Sequence, residues 1–267
     1  MVVFRSNFLM GSAMSSNDNA SRIPSRSLNV SCSDCSLNPI CLPVAVKEQQ
    51  LDELDGIIKR SKPLKKGEHL FRASDGFESI YAVRSGTIKT YTVSEDGEEQ
   101  VTGFYLPGEI LGVDGISNNI HSNSAKALET AAVCEIPFSR LESLSTEIPS
   151  LQHHFFKLMS KEIQSDQQLL MLLSKKSAEE RIAALLLSIS ARHALRGLSA
   201  TGFRLPMSRN DIGNFLGLAV ETVSRVFTRL QKQNVLAVDG KEVEILDHKL
   251  LCAISNGNAD DMVSNSA

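Results

Sequence analysis

Three cysteines fall within ten residues in Cys32-Ser33-Asp34-Cys35-Ser36-Leu37-Asn38-Pro39-Ile40-Cys41, and a fourth, Cys134, lies about ninety residues on. Core packing uses thiols one at a time and sets no spacing. A C-x2-C-x5-C run instead puts three soft donors on one loop, ready for a metal and a fourth ligand from elsewhere. Spacing alone suits zinc and an iron–sulfur cluster equally. Cys252 stands apart near the C-terminus in what reads as a frayed tail, and no role is assigned to it. The adjacent His153-His154 cannot chelate one ion from one helix face, because consecutive residues point apart. Both read as surface or dimer-flank residues. No Ser–His–Asp set, phosphate loop or convincing carboxylate pair appears, so the chain reads as a non-enzyme.

A second group with chemical potential is Glu221, Ser224 and Arg225, spaced i, i+3, i+4. On a helix in the major groove, arginine donates bidentately to guanine, glutamate accepts from the cytosine amino group, and serine does either. A glutamate near phosphates costs affinity, so it favours sequence reading over general stickiness. The same trio on an ordinary exposed face would be a Glu–Arg pair worth about 0.2–0.5 kcal/mol.

The elements around these residues decide between such readings. Ser208 is positioned to cap a helix from Arg209 to Leu216, Gly217-Leu218-Ala219 breaks it, and a second helix runs from Val220 to about Gln233 with Val223, Phe227 and Leu230 inward. Two short helices joined by a Gly-containing turn form a helix-turn-helix, whose second helix enters the major groove. Val235–Val238, Asp239-Gly240 and Lys241–Leu246 read as a hairpin wing that brings Lys241 near the DNA backbone. Between Glu179 and Lys232 there are eight basic residues against four acidic ones, a surplus of +4 in a chain of net charge −3. Such a balance suits double-stranded DNA as partner.

Upstream, a helical tract from Leu151 to about Ser174 carries Phe156, Met159, Ile163, Asp166, Leu170 and Leu173, spaced 3, 4, 3, 4, 3. That is a heptad seam, most simply paired with its own copy in a homodimer. Asp166 breaks it: two carboxylates facing each other out of water repel and lose hydration. The dimer is therefore expected to be marginal. Ser177-Ala178-Glu179-Glu180 is a capping box that restarts a helix, with Lys175-Lys176 before it as a hinge. Before the seam, from Leu51 to Pro137, Gly-containing turns recur about every ten residues between β-rich runs. A helix from Glu48 to Lys59 stands in front. The regular spacing suggests a small barrel or roll, though a plain β-sandwich fits it as well.

No apolar run approaches the ~18–20 residues of a membrane span. No signal-type apolar segment opens the chain, so the expected compartment is the cytoplasm, where cysteine clusters bind metal rather than form disulfides. Residues 1–28, rich in Ser and Asn, read as a disordered extension. Next come a cysteine segment with its β-roll over 29–147, a dimerisation helix over 148–176, a winged helix-turn-helix over 177–250 and a tail over 251–267. The fold class is α+β.

This order resembles the CRP/FNR superfamily of bacterial transcription regulators, closest to its FNR branch. The likeness rests on C-x2-C-x5-C, Ala-Leu-Glu-Thr before Cys134-Glu-Ile-Pro, Leu-Leu-Ser-Lys-Lys and Val-Glu-Thr-Val-Ser-Arg, all in order. The resemblance implies a 4Fe–4S cluster on Cys32, Cys35, Cys41 and Cys134, lost or converted to 2Fe–2S by oxygen. It implies a dimer whose Glu221, Ser224 and Arg225 read a palindrome like TTGAT-N4-ATCAA. Ser36 and Ile40, beside two ligands, are where oxygen access would be tuned. Loops around Ser85 and Gly97 would touch RNA polymerase. Cyclic-nucleotide pockets of similar rolls resemble Gly-Glu followed by Arg-Ser facing the phosphate. Here Gly108-Glu109 is present, but Asn123 stands where the arginine is expected, so no cyclic nucleotide is expected.

Overall fold

The computed structural model describes residues 30–257. The extension expected to be disordered over 1–28, and residues 258–267 of the expected tail, lie outside the described residues. The cysteine run is a series of turns leading into 3-10 turns at Leu42–Ala45 and Glu48–Gln50 and then helix α1, Leu51–Ile57. The expected single helix from Glu48 to Lys59 is therefore shorter. Ile58 is extended, and Lys59–Arg60 forms strand β1, which pairs across the chain with Glu135 and Cys134.

Strands β2 (His69–Phe71), β3 (Ser79–Ser85), β4 (Ile88–Val93), β5 (Glu99–Tyr105), β6 (Ile110–Leu111), β7 (Ser124–Ala127) and β8 (Ala132–Pro137) follow. They form two antiparallel four-stranded sheets, ordered β1-β8-β3-β6 and β2-β7-β4-β5. Phe71, Val83, Ile88, Leu111, Ala125 and Val133, drawn from both sheets, share one buried core. Asp96-Gly97 lies in the β4–β5 hairpin, where the Gly97 N–H donates to Ser94 at 2.9 Å. Ser85-Gly86 and Asp75-Gly76 instead carry the chain from one sheet to the other, which residue-by-residue turn signals do not distinguish.

Strand β8 runs into helix α2 (Phe138–Glu147) and then α3 (Pro149–Lys175), 27 residues and therefore about 40 Å long. The start of α3 buries Leu151 against a second core with Leu42, Leu54, Ile80, Ile136 and Leu141, on which Cys41 and Cys134 also pack. Further along, the seam emerges. Phe156, Ile163 and Leu170 are 62%, 56% and 73% exposed. Asp166 is exposed too, and Glu162 one turn before it accepts from the Tyr105 hydroxyl at 2.7 Å.

Ser177 caps helix α4 (Ala178–Ala194) through a reciprocal box with Glu180, whose carboxyl is lowered to about 2 by Lys176 and the Ser177 N–H and hydroxyl. The expected hinge at Lys175-Lys176 is fastened. One guanidinium, Arg181, donates to the carbonyls of Lys176, Leu216 and Leu173 at 2.9, 2.9 and 2.7 Å. Strand β9 (Gly202–Arg204), helices α5 (Arg209–Leu216) and α6 (Val220–Lys232), strands β10 (Leu236–Asp239) and β11 (Glu242–Ile245) and helix α7 (His248–Asn256) follow among the described residues. The frayed tail expected to start at residue 251 is thus, through Asn256, an ordered helix that buries Leu251 and Ile254 against the core containing α4. Its signal was present: the Asp247 carboxylate caps it by accepting the Leu250 N–H at 2.9 Å.

Candidate metal centre and nucleic-acid interface

The cysteine loop is held by its own backbone. Cys35, Asn38 and Ile40 donate N–H groups three residues back, and the Asn38 amide donates to the Cys32 carbonyl at 3.0 Å. Its first ligand candidate is tied to α1 through the Cys32 N–H, which donates to the Asp55 carboxylate at 2.8 Å. Its far end rests on the roll. Gly108 has φ +90°, a left-handed conformation that favours glycine, and a Cβ there would come within 2.7 Å of the Ile40 side chain. Ser36 is exposed.

Burial pushes the Cys32 thiol up to about 12, helped by the hydrogen bond and charge of Asp55, and burial pushes Cys41 up to about 12 as well. Cys134 is raised by burial against the opposing charges of Arg60 and Arg84. Cys41 and Cys134 pack on the same core, and Arg60, the cross-strand partner of Cys134, reaches the Asp55 carboxylate that holds the Cys32 N–H, so the two cysteine segments meet. Among the described residues no three His, Cys, Asp or Glu side chains converge as around one ion. Arg60 adds a sharper mark: its Nε is buried and has no hydrogen-bond partner. A guanidinium whose Nε lacks an acceptor, on the cross-strand neighbour of Cys134, fits an anionic thiolate-bound group. Cys252 lies elsewhere, 3.5 Å from Nδ1 of His248 on α7.

In the C-terminal part, α5 begins at Ser208 with a capping box to Asp211 and ends at Gly217, whose φ of +63° makes the turn into α6. Val223, Val226, Phe227 and Leu230 bury one face of α6, leaving Glu221, Ser224 and Arg225 exposed on its first turns. The Ser224 hydroxyl donates to the Val220 carbonyl at 2.9 Å, and the Arg225 Nε to Glu221 O at 3.4 Å. Among the described residues no carboxylate pairs with Arg225. Arg229 does pair, with Glu179 at 2.9 Å. The two-residue loop of the wing is Gly240-Lys241, and the Lys241 ammonium donates back to the Pro206 carbonyl at 2.6 Å rather than pointing outward. The sequence expectation for Lys241 is corrected accordingly.

Much of the basic surplus is internal. Arg192 and Arg196 on α4 both reach the Glu109 carboxylate, Arg192 Nε at 2.8 Å and Arg196 Nη2 at 2.6 Å. Burial works against ionising Glu109, but Arg192, Arg196 and the Leu106 N–H outweigh it and hold the carboxyl below its usual range. Lys89 of β4, its side chain only 8% exposed, bridges Glu99 and Asp211 at 3.0 and 2.9 Å. Asn214 of α5 pairs by its side-chain amide with the Val101 N–H and the Glu99 carbonyl, covering the free edge of β5. The sequence reading missed these long-range pairs.

A family profile described as the Crp-like helix-turn-helix domain matches residues 180–254, and one described as the cyclic nucleotide-binding domain matches residues 61–147. The transcriptional activator protein Anr of Pseudomonas protegens is 56% identical over 229 residues, covering 86% of this chain and 94% of that protein. The chain belongs to the FNR/Anr family. Another member, the fumarate and nitrate reduction regulatory protein of Yersinia pestis, is 50% identical over 234 residues, covering 88% of this chain and 94% of that one. The solved structure of FixK2 from Bradyrhizobium japonicum superposes with a TM-score of 0.68 at 28% identity, covering 74% of this chain and 97% of that one. This FNR/Anr-family chain is a DNA-binding transcriptional activator built on the Crp-like α+β plan. Among the described residues no helix is long and apolar enough to cross a membrane.

Proposed function

We propose that the chain is an oxygen-responsive homodimeric activator carrying a 4Fe–4S cluster on Cys32, Cys35, Cys41 and Cys134. The observation that carries this reading is the meeting of the two distant cysteine segments, with Cys41 and Cys134 on one core and the acceptor-less Nε of Arg60 on the strand beside Cys134. When bound, the cluster supplies air-lability, passing to 2Fe–2S on exposure to oxygen. The residues do the rest. Cysteine ligation ties the 32–41 loop to β8, the strand that leads through α2 into α3. Phe156, Met159, Ile163 and Leu170 pair with the same residues of a second copy, while the two Asp166 carboxylates oppose that pairing. A group that binds only the paired arrangement shifts the balance toward it.

Pairing sets two α6 helices one DNA turn apart. There Glu221, Ser224 and Arg225 read the half-sites of a palindrome of the TTGAT-N4-ATCAA type. Ser36, exposed beside Cys35, and Ile40, packed on Gly108 beside Cys41, control oxygen access. The exposed turns at Ser85 and Gly97 offer contact to RNA polymerase. Cyclic nucleotide is not the ligand: Glu109 is engaged by Arg192 and Arg196, and the Asn123 amide is held by Asp114 and the Ser122 hydroxyl.

The test is anaerobic purification with iron and sulfide quantified, then binding to the palindromic duplex with and without air. Four irons per chain, visible colour and duplex binding lost in air are expected, and Cys134→Ala should lose the iron and the colour. A colourless zinc protein that binds the duplex equally in air would overturn the reading. Tight iron with no duplex binding would instead indicate an electron carrier.

A further inference from the structure

Arg60 is the cross-strand neighbour of Cys134 on the β1–β8 ladder. Its guanidinium, 13% exposed, reaches back by Nη2 to Asp55 Oδ1. That same oxygen accepts the Cys32 N–H at 2.8 Å. One continuous path therefore runs from the strand of the fourth cysteine through Arg60 and Asp55 to the backbone of the first. It joins two segments about a hundred residues apart without any metal. A second Arg60 nitrogen, Nε, is buried with its proton unused. An unpaired buried donor costs about 1–3 kcal/mol, so its persistence calls for an acceptor. A thiolate or sulfide of an anionic cluster is that acceptor, and hydrogen bonds to the sulfurs tune cluster potential.

We propose that Arg60 and Asp55 form a strap that pre-assembles the cysteine site, and that Arg60 donates through Nε to a sulfur of the bound cluster. The donor half rests on the iron–sulfur reading above; the strap does not. Arg60 is thus a positioning residue whose second role is electrostatic. The alternative is that the pair merely braces α1 against β1.

Two measurements on the full chain separate these. In the metal-free, reduced protein, amide hydrogen exchange across residues 31–41 reports the strap. Asp55→Asn and Arg60→Met should each speed it by about tenfold, as loss of one charge-assisted hydrogen bond implies. In the anaerobically reconstituted protein, the midpoint potential of the cluster should fall in Arg60→Met and recover in part in Arg60→Lys, which restores charge but not the fork. Exchange unchanged in both variants overturns the strap. Faster exchange with an unmoved potential overturns the donor role and leaves Arg60 a brace. A wild-type chain that assembles no iron ends the cluster reading, and the donor role with it, while exchange in the metal-free chain still decides the strap.

Discussion

Replacing Glu109 by Leu removes the single carboxylate that receives two guanidiniums from α4. Arg196 is 6% exposed and so has little access to water, while Arg192 is 23% exposed. Deleting one partner of a buried ion pair costs about 3–5 kcal/mol, because the surviving charge is stranded. Here the guanidiniums keep carbonyl acceptors at Phe104 and Pro107, which sets the expectation at the low end, about 3 kcal/mol. That is a large share of the ~5–15 kcal/mol that holds a domain folded. Urea unfolding followed by tyrosine fluorescence and by helical circular dichroism measures it. If α4 and the helix-turn-helix detach first, the two probes separate and two-state behaviour fails. The triple change Glu109→Leu, Arg192→Leu and Arg196→Met should recover most of the loss, since an apolar replacement of a buried charged set is often neutral. The acid limb follows by sign. The folded carboxyl of Glu109 lies below its unfolded value, so its contribution is complete above about pH 4.3 and is lost as pH falls through the depressed value. The single variant should lack that acid-dependent loss. A single-variant cost below about 1 kcal/mol, or a triple variant no better than the single, would refute the triad's buried, interdependent character.

Asp166→Ala removes the like charge from an otherwise apolar seam and should leave appreciable dimer in air. An aerobic sedimentation profile that stays monomeric would sink the repulsion account. Arg225→Gln should relax preference at one base pair per half-site by about 1–3 kcal/mol in competition binding. A uniform loss over all sequences would mark Arg225 as a phosphate contact instead.

What could be read from residues alone was what depends on neighbours in the chain. Cys32, Cys35 and Cys41 announce a donor loop by spacing, and Ser208, Gly217 and the stripe Val223, Phe227, Leu230 announce two helices and their turn. The seam from Phe156 to Leu173 is likewise a local period, and the structure leaves Phe156, Ile163 and Leu170 uncovered within the chain while Met159 and Leu173 are half-buried. Pairings over long separations were not legible. Arg60 meets Cys134 only because β1 adds to the edge of β8, a register set by the whole roll. Glu109 reads as a nucleotide-pocket residue until α4 folds over it and brings Arg192 and Arg196, more than eighty positions away. Lys89 and Asp211 look like separate surface charges, yet they meet because α5 lies against β5. Lys241 reads as a cation near the DNA backbone until the return of β11 beside β9 brings Pro206 within reach.

Tyr91, Val101 and Phe104 of the roll lie in one continuous buried core with Leu186, Leu205, Ile212 and Phe227, and Phe104 meets Phe215 edge-on at 5.1 Å between ring centroids. Sensor and reader are consequently not interchangeable cassettes. A hybrid regulator spliced at the end of α3 would import a foreign underside onto strands β4 and β5, and its faults would arise at that buried joint even with a flawless recognition helix. A graft that also carries residues 88–105 from the donor keeps the joint native and should preserve the donor's operator choice.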